Sequence, residues 1–182
     1  TPDLFQKLGE LMLRWSHFDH VIGNCLGAIL QLSPEDTAIM VFPLPVNRRL
    51  TKIKELAVLR DITDDAEAAL TAVADVFEHI QKVRNNVIHA IMIDDPNDGL
   101  KLHLRSKKRA LTIDQVFEIE ELTNYAAHCA LSLRYALGPK AGPVEQHPLP
   151  DKPAIPRFLN HPSPTEIQLG QPLAPRPPAS RE

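Results

Sequence analysis

Between Asp3 and Leu32 the apolar residues Leu4, Leu8, Leu11, Trp15, Phe18, Ile22, Cys25 and Ile29 recur at alternating spacings of four and three. That spacing puts them on one stripe of a helix about 45 Å long. Thr1-Pro2-Asp3 supplies its start signal, with a proline and an acid near the first turn. Ser33-Pro34-Glu35-Asp36 reads as a cap followed by proline at the first helical position. It opens a short helix to about Phe42, which Pro43-Leu44-Pro45 ends. A third helix, about 47–60, carries Leu50, Ile53, Leu56 and Ala57 on one side, with Arg48, Arg49, Lys52 and Lys54 assigned to its polar side. Thr63-Asp64-Asp65 caps a fourth, running to about Ala90, with Val73, Val76, Phe77, Ile80, Val83, Val87 and Ile91 on its apolar arc. A fifth, 112–137, repeats the four-three pattern through Val116, Ile119, Thr123, Ala126, Ala130, Leu133 and Leu137, and Gly138-Pro139 stops it.

The texture changes between the last two of these. Ile91-Met92-Ile93 leads into Asp94-Asp95-Pro96-Asn97-Asp98-Gly99, and Leu100-Lys101-Leu102-His103-Leu104-Arg105 then alternates apolar and basic with period two. That alternation after an Asn-Asp-Gly turn, with an apolar run before it, predicts a short β-hairpin. The expected fold is all-α: an up-and-down helical bundle of about five helices, with that hairpin between the last two long ones.

Composition divides the chain. Of 17 prolines in 182 residues, 12 fall between Pro139 and Pro178. A proline-poor body, residues 1–138, is thus expected to precede an extended, proline-rich tail, residues 139–182, whose short apolar islands around Ile155, Phe158-Leu159 and Ile167 could dock on the body or a partner. The net charge of −3 excludes a globally basic nucleic-acid binder but leaves room for a local basic patch. No apolar run is long enough to span a membrane. Two isolated cysteines, Cys25 and Cys129, support neither a disulfide framework nor a zinc ribbon. With no signal-peptide pattern at Thr1-Pro2-Asp3-Leu4, a cytoplasmic location is expected.

The sharpest chemical feature is Lys82-Val83-Arg84-Asn85-Asn86-Val87-Ile88-His89-Ala90, which sets an arginine, amides and a histidine in the last turns of the fourth helix. Asn85 and His89 share a face, whereas Arg84 falls within the arc of Ile80, Val83 and Val87. A guanidinium emerging from an apolar stripe needs a carboxylate, a phosphate or a route to water. Asp19 is the lone charge in the row Phe5, Met12, Asp19, Leu26 of the first helix, so an Asp19–Arg84 pair across the bundle is expected.

Arg84 and His89, separated by four residues and with Asn85 directly after the arginine, resemble the R-x4–6-H motif of the HEPN superfamily. The context is similar too, over roughly residues 3–138: a long first helix with Trp15 in mid-stripe, the motif late in a penultimate long helix, a hairpin and a closing helix. The resemblance implies a helical-bundle homodimer with two such motifs brought together at the interface. It also implies a metal-independent endoribonuclease without a cofactor, of the toxin or antiphage-defence kind, with an antitoxin or other protein partner. His89 would then be the acid/base residue or would orient the attacking 2′-hydroxyl, Arg84 would stabilise charge on the phosphorane, and Asn85 would position the histidine or the phosphate. Imidazole and guanidinium suit that chemistry near neutral pH. The resemblance equally admits a catalytically silent dimerisation or binding module that recruits a partner protein or nucleic acid.

Lys101, Arg105, Lys107 and Lys108, with His103 and Arg109 among them, form the best local basic patch and the candidate RNA-binding residues. No aromatics interleave with them to stack bases, so sequence-specific readout is not expected. His17 and His20 lie three apart and the other histidines are scattered, which gives no metal-ligand set. A Gly-rich phosphate loop, HExxH and Gly-x-Ser-x-Gly are all lacking.

Overall fold

The computed structural model describes residues 2–88, 90–95, 99–104, 110–111, 113–138 and 149–156. Its five helices among those residues are α1 (Pro2–Ile29), α2 (Pro34–Met40), α3 (Val46–Arg60), α4 (Asp64–Ile88) and α5 (Ile113–Ala136). Between α4 and α5 lie β1 (Ala90–Asp95), β2 (Gly99–Leu104) and β3 (Ala110–Leu111), an antiparallel sheet in the order β1-β2-β3. Ala90 pairs with Leu104, Ile93 with Lys101 and Leu102 with Leu111.

Local chemistry sets the helix ends. The 28 residues of α1 close in a left-handed residue, Gln31 at φ 58°. The amide of Leu32 donates to the Gly27 carbonyl at 2.9 Å and that of Gln31 to Ala28 at 3.0 Å, so two of the last carbonyls are satisfied. This ends the helix three residues before Leu32, the stop its apolar periodicity suggested. Ser33 Oγ accepts from the Asp36 amide at 3.0 Å and caps α2, with Pro34 in the first turn. Asp61, at φ 48°, ends α3. Helix α4 stops at Ile88, and Ala90, expected as its last residue, is already in β1.

Helix α5 packs against both α1 and α4, and α1 also packs against α2 and α3. The stripe of α1 is buried from Leu11 through Trp15, Phe18, Ile22, Cys25 and Ile29. Helix α5 buries more than one face: Ile119, Thr123, Ala126, Ala130 and Leu133, but also Leu122, Tyr125 and Cys129. Its alanines let α1 come close, and the Cys25 thiol donates to the Ala130 carbonyl at 3.5 Å. At the solvent edge of the same seam, Glu120 bonds Arg14 at 2.9 Å and lies 3.5 Å from Lys7, and Arg14 reaches Asn124 at 2.7 Å.

Arg49, expected on the polar face of α3, is 4% exposed. The reason is its place in the row Val46, Arg49, Leu50, Ile53, Ala57, all buried on the side of α3 that meets α1. Its Nε donates to the Leu44 carbonyl at 2.7 Å and its Nη1 to the Asp19 carbonyl at 2.7 Å. Its Nη2 lies 2.7 Å from Asp19 Oδ1, and the guanidinium carbon sits 5.8 Å from the centre of the Phe42 ring. Asp19 therefore pairs with Arg49, and the expected Asp19–Arg84 pair is replaced by a bond between α1 and α3. The close approach is completed by glycines. A Cβ at Gly23 would strike the Phe42 ring, and one at Gly27 would overlap the Thr37 hydroxyl.

Both features can be checked by unfolding. Gly27→Ala forces Thr37 away, an overpacking cost of about 1–3 kcal/mol. That exceeds the gain in helix propensity of about 1 kcal/mol, so the urea midpoint falls. In double-mutant cycles read by urea unfolding, Asp19→Asn couples to Arg49→Met by about 1 kcal/mol or more. The same Asp19→Asn is additive with Arg84→Met within about 0.5 kcal/mol.

Candidate functional site

The last turns of α4 bring Arg84 and Asn85 together. Arg84 is half-buried, its Nη1 donates to Asn85 Oδ1 at 3.1 Å, and its guanidinium carbon lies 5.6 Å from the centre of the Trp15 ring. Trp15 in turn lies 5.7 Å from Phe18, and Phe18 lies 6.2 Å from Phe77 of α4, all between ring centres. The guanidinium thus caps an aromatic row joining α1 to α4, and the ring faces satisfy part of its charge. Its Nε is buried without a hydrogen-bond partner among the described residues. A buried N–H of a charged group in that condition is a strong potential donor to an anion.

The other expected site residues fall elsewhere. Asp19 serves Arg49, as above, and supports Arg84 neither by an ion pair nor by a hydrogen bond among the described residues. His89, Arg105, Lys107 and Lys108 lie outside the described residues. Lys101 stands in β2 opposite Ile93, and only its backbone is described. The backbone of β2 runs close to α4, so residues 100–104 of the alternating run lie beside the helix that carries Arg84. Sequence reasoning overlooked Trp15 as the partner of Arg84. The signal was present: the one tryptophan of the chain falls in the middle of the α1 stripe, where a cation on a neighbouring helix can cover its face.

Among the described residues, no three of His, Cys, Asp and Glu converge where they could hold a metal ion, and no helix is long and apolar enough to cross a membrane. The two thiols are buried groups. Burial pushes Cys25 up to about 12 and also raises Cys129, which holds both in the unreactive thiol form at neutral pH. Tyr125 is likewise raised to about 12, by burial first and then by its hydrogen bond with Cys129.

A second, separate surface feature lies farther back along α4. Asp64, Glu67, Ala68, Thr71, Ala72 and Asp75, with Tyr125 of α5, line an open cleft of about 530 Å³.

Comparison with protein-family models, curated proteins and solved structures finds no match to this chain.

The buried thiols and phenol set a pH dependence. Each folded-state value is raised, so the stabilisation is complete below the ordinary thiol value of 9.0 and is lost as pH climbs toward 12. Urea midpoints measured from pH 8 upward are expected to fall progressively above pH 9, and Cys25→Ala to flatten that fall. At neutral pH, iodoacetamide is expected to label neither cysteine until urea unfolds the chain.

Proposed function

We propose that the chain is a HEPN-like, metal-independent endoribonuclease acting as a cytoplasmic homodimer, with Arg84, Asn85 and His89 as its catalytic set. The observation that carries this reading is the state of Arg84. It is held over Trp15 and against Asn85 near the end of α4, with a buried Nε that meets no protein acceptor among the described residues. A guanidinium fixed in this way suits a phosphate, because its donors are oriented before the ligand arrives.

The reaction is transesterification. The ribose 2′-oxygen attacks the adjacent phosphorus and gives up its proton to a base, the bond from phosphorus to the 5′-oxygen breaks, and the departing oxygen takes up a proton. The products are a 2′,3′-cyclic phosphate and a 5′-hydroxyl. His89 carries the proton transfers, since imidazole exchanges protons near neutral pH. Arg84 stabilises the charge that develops on the phosphorane oxygens, and Asn85 holds Arg84 in place. In the dimer the two motifs face one cleft. Lys101, Arg105, Lys107 and Lys108 attract the RNA backbone by charge, which makes binding salt-sensitive. A toxin or antiphage role, restrained by an antitoxin-like protein, is the biological setting that matches such an activity.

The test is cleavage of a mixed single-stranded RNA in the presence of EDTA. Wild-type protein is expected to cut, His89→Ala to lose activity by about 100-fold or more, and Arg84→Ala by a similar factor. Asn85→Ala is expected to lose about tenfold, the effect of a group that positions the arginine. RNA left intact by a folded wild-type dimer favours the non-catalytic dimerisation and binding module instead.

A further inference from the structure

Residues 149–156, Leu-Pro-Asp-Lys-Pro-Ala-Ile-Pro, are part of the proline-rich tail, yet they have a defined place on the body. They form neither helix nor strand. Proline fixes its own backbone near φ −65° and drives the residue before it into the extended region. With prolines at 150, 153 and 156, six of the eight residues are restricted in this way, which specifies a polyproline II segment. That helix has about three residues per turn, so prolines three apart share one face. Burial is deepest on that face. Pro150, Pro153 and Ile155 are half-buried and Pro156 is buried, whereas Leu149, Asp151, Lys152 and Ala154 are exposed. The proline face is turned to the protein.

One charged contact, between exposed side chains, links the segment to the bundle: Lys152 Nζ reaches Asp75 Oδ2 of α4 at 3.1 Å. Asp75 also lines the cleft, with Asp64, Glu67, Thr71 and Tyr125. Asp64 and Glu67 make no ion pair with a described residue and are exposed. Here, then, are components by which proline-rich peptides are recognised: a carboxylate bonded to the lysine of such a segment, and an adjoining cleft lined by further carboxylates and by Tyr125. The chain itself bonds such a segment to α4 through Lys152 and Asp75. Asp75 and Arg84 are nine residues apart, about half a turn around α4, so this surface is independent of the Arg84 site.

We propose that the α4 surface around Asp75, with the adjoining cleft, is a docking site for extended peptides that carry prolines three apart and a lysine directly before one of them. Residues 149–156 are its occupant in cis, and a partner segment of the same chemistry displaces them in trans. The affinity of a trans peptide is therefore limited by competition with the tethered segment, whose effective concentration is high. Loosening the segment opens the site.

The test uses the full chain and a fluorescent peptide with the sequence of residues 149–156, read by anisotropy. Lys152→Glu with Pro156→Gly removes both the ion pair and the buried proline from the cis segment. The labelled peptide is expected to bind this variant at least tenfold more tightly than it binds wild type. Adding Asp75→Lys to the opened chain is expected to cost at least tenfold. A peptide carrying Lys152→Glu is expected to recover affinity for that Asp75→Lys chain. Lys152→Glu alone, kept as a second opened variant, is expected to show an intermediate gain. The proposal is overturned if neither opened chain, with its helical circular dichroism intact, shows saturable binding. It is equally overturned if binding is indifferent to Asp75→Lys or is as tight to wild type as to the opened chains.

Discussion

The structure depends on one constraint: α5 has two faces to bury and only helices to bury them with. Its apolar and small residues are spread around much of the circumference, from Ile119 and Ala126 to Tyr125 and Cys129. A helix of that kind is stable only between neighbours. Helix α1 covers one side and α4 the other, and the remaining helices take positions that this sandwich leaves open. Alanines at 126, 127 and 130 allow the close approach, and the Lys7, Arg14, Glu120 and Asn124 group seals the outer edge in polar contacts. Those edge pairs are solvent-exposed in part and add orientation more than energy. The apolar seam supplies the stability.

Two arginines interrupt the apolar arcs of this bundle, and each is satisfied differently. Arg49 gains two backbone carbonyls, a carboxylate and an aromatic face, and it ties α3 to α1. Arg84 gains an aromatic face and a neighbouring amide, and keeps a buried donor without a protein acceptor among the described residues. A buried cation that bonds two backbone carbonyls and pairs with a carboxylate on another helix is a structural fastener. One with a donor in reserve is suited to hold an anion. This difference, more than the spacing of Arg84 and His89, is what supports a phosphate-handling role for the end of α4.

Much of the helical layout is legible in the sequence because the stripes of α1, α3 and α4 are one-sided, and a one-sided stripe survives as the face against the core. The stops are harder to read. Helix α1 ends through Gln31 in a left-handed conformation, with no glycine or proline to mark it. The partner of Asp19 is not legible either. The pattern of α3 assigns Arg49 to the polar side although the structure buries it, and periodicity cannot say which helix packs beside Asp19. Composition is of no help there, since Arg48 and Arg49 are adjacent and identical in type, yet only Arg49 is buried. The seating of residues 149–156 is implicit in the three-residue proline period, but its site depends on Asp75, which sequence alone leaves as one acid among several on α4.

The central claim is that Arg84 and its neighbours act on the phosphodiester of RNA through the 2′-hydroxyl. The most direct measurement is mass spectrometry of the termini left on a defined RNA after incubation with the protein in EDTA. A 2′,3′-cyclic phosphate on one fragment and a 5′-hydroxyl on the other are expected, with neither formed by the His89→Ala protein. Fragments ending in 3′-hydroxyl and 5′-phosphate, or RNA recovered whole, would contradict that claim.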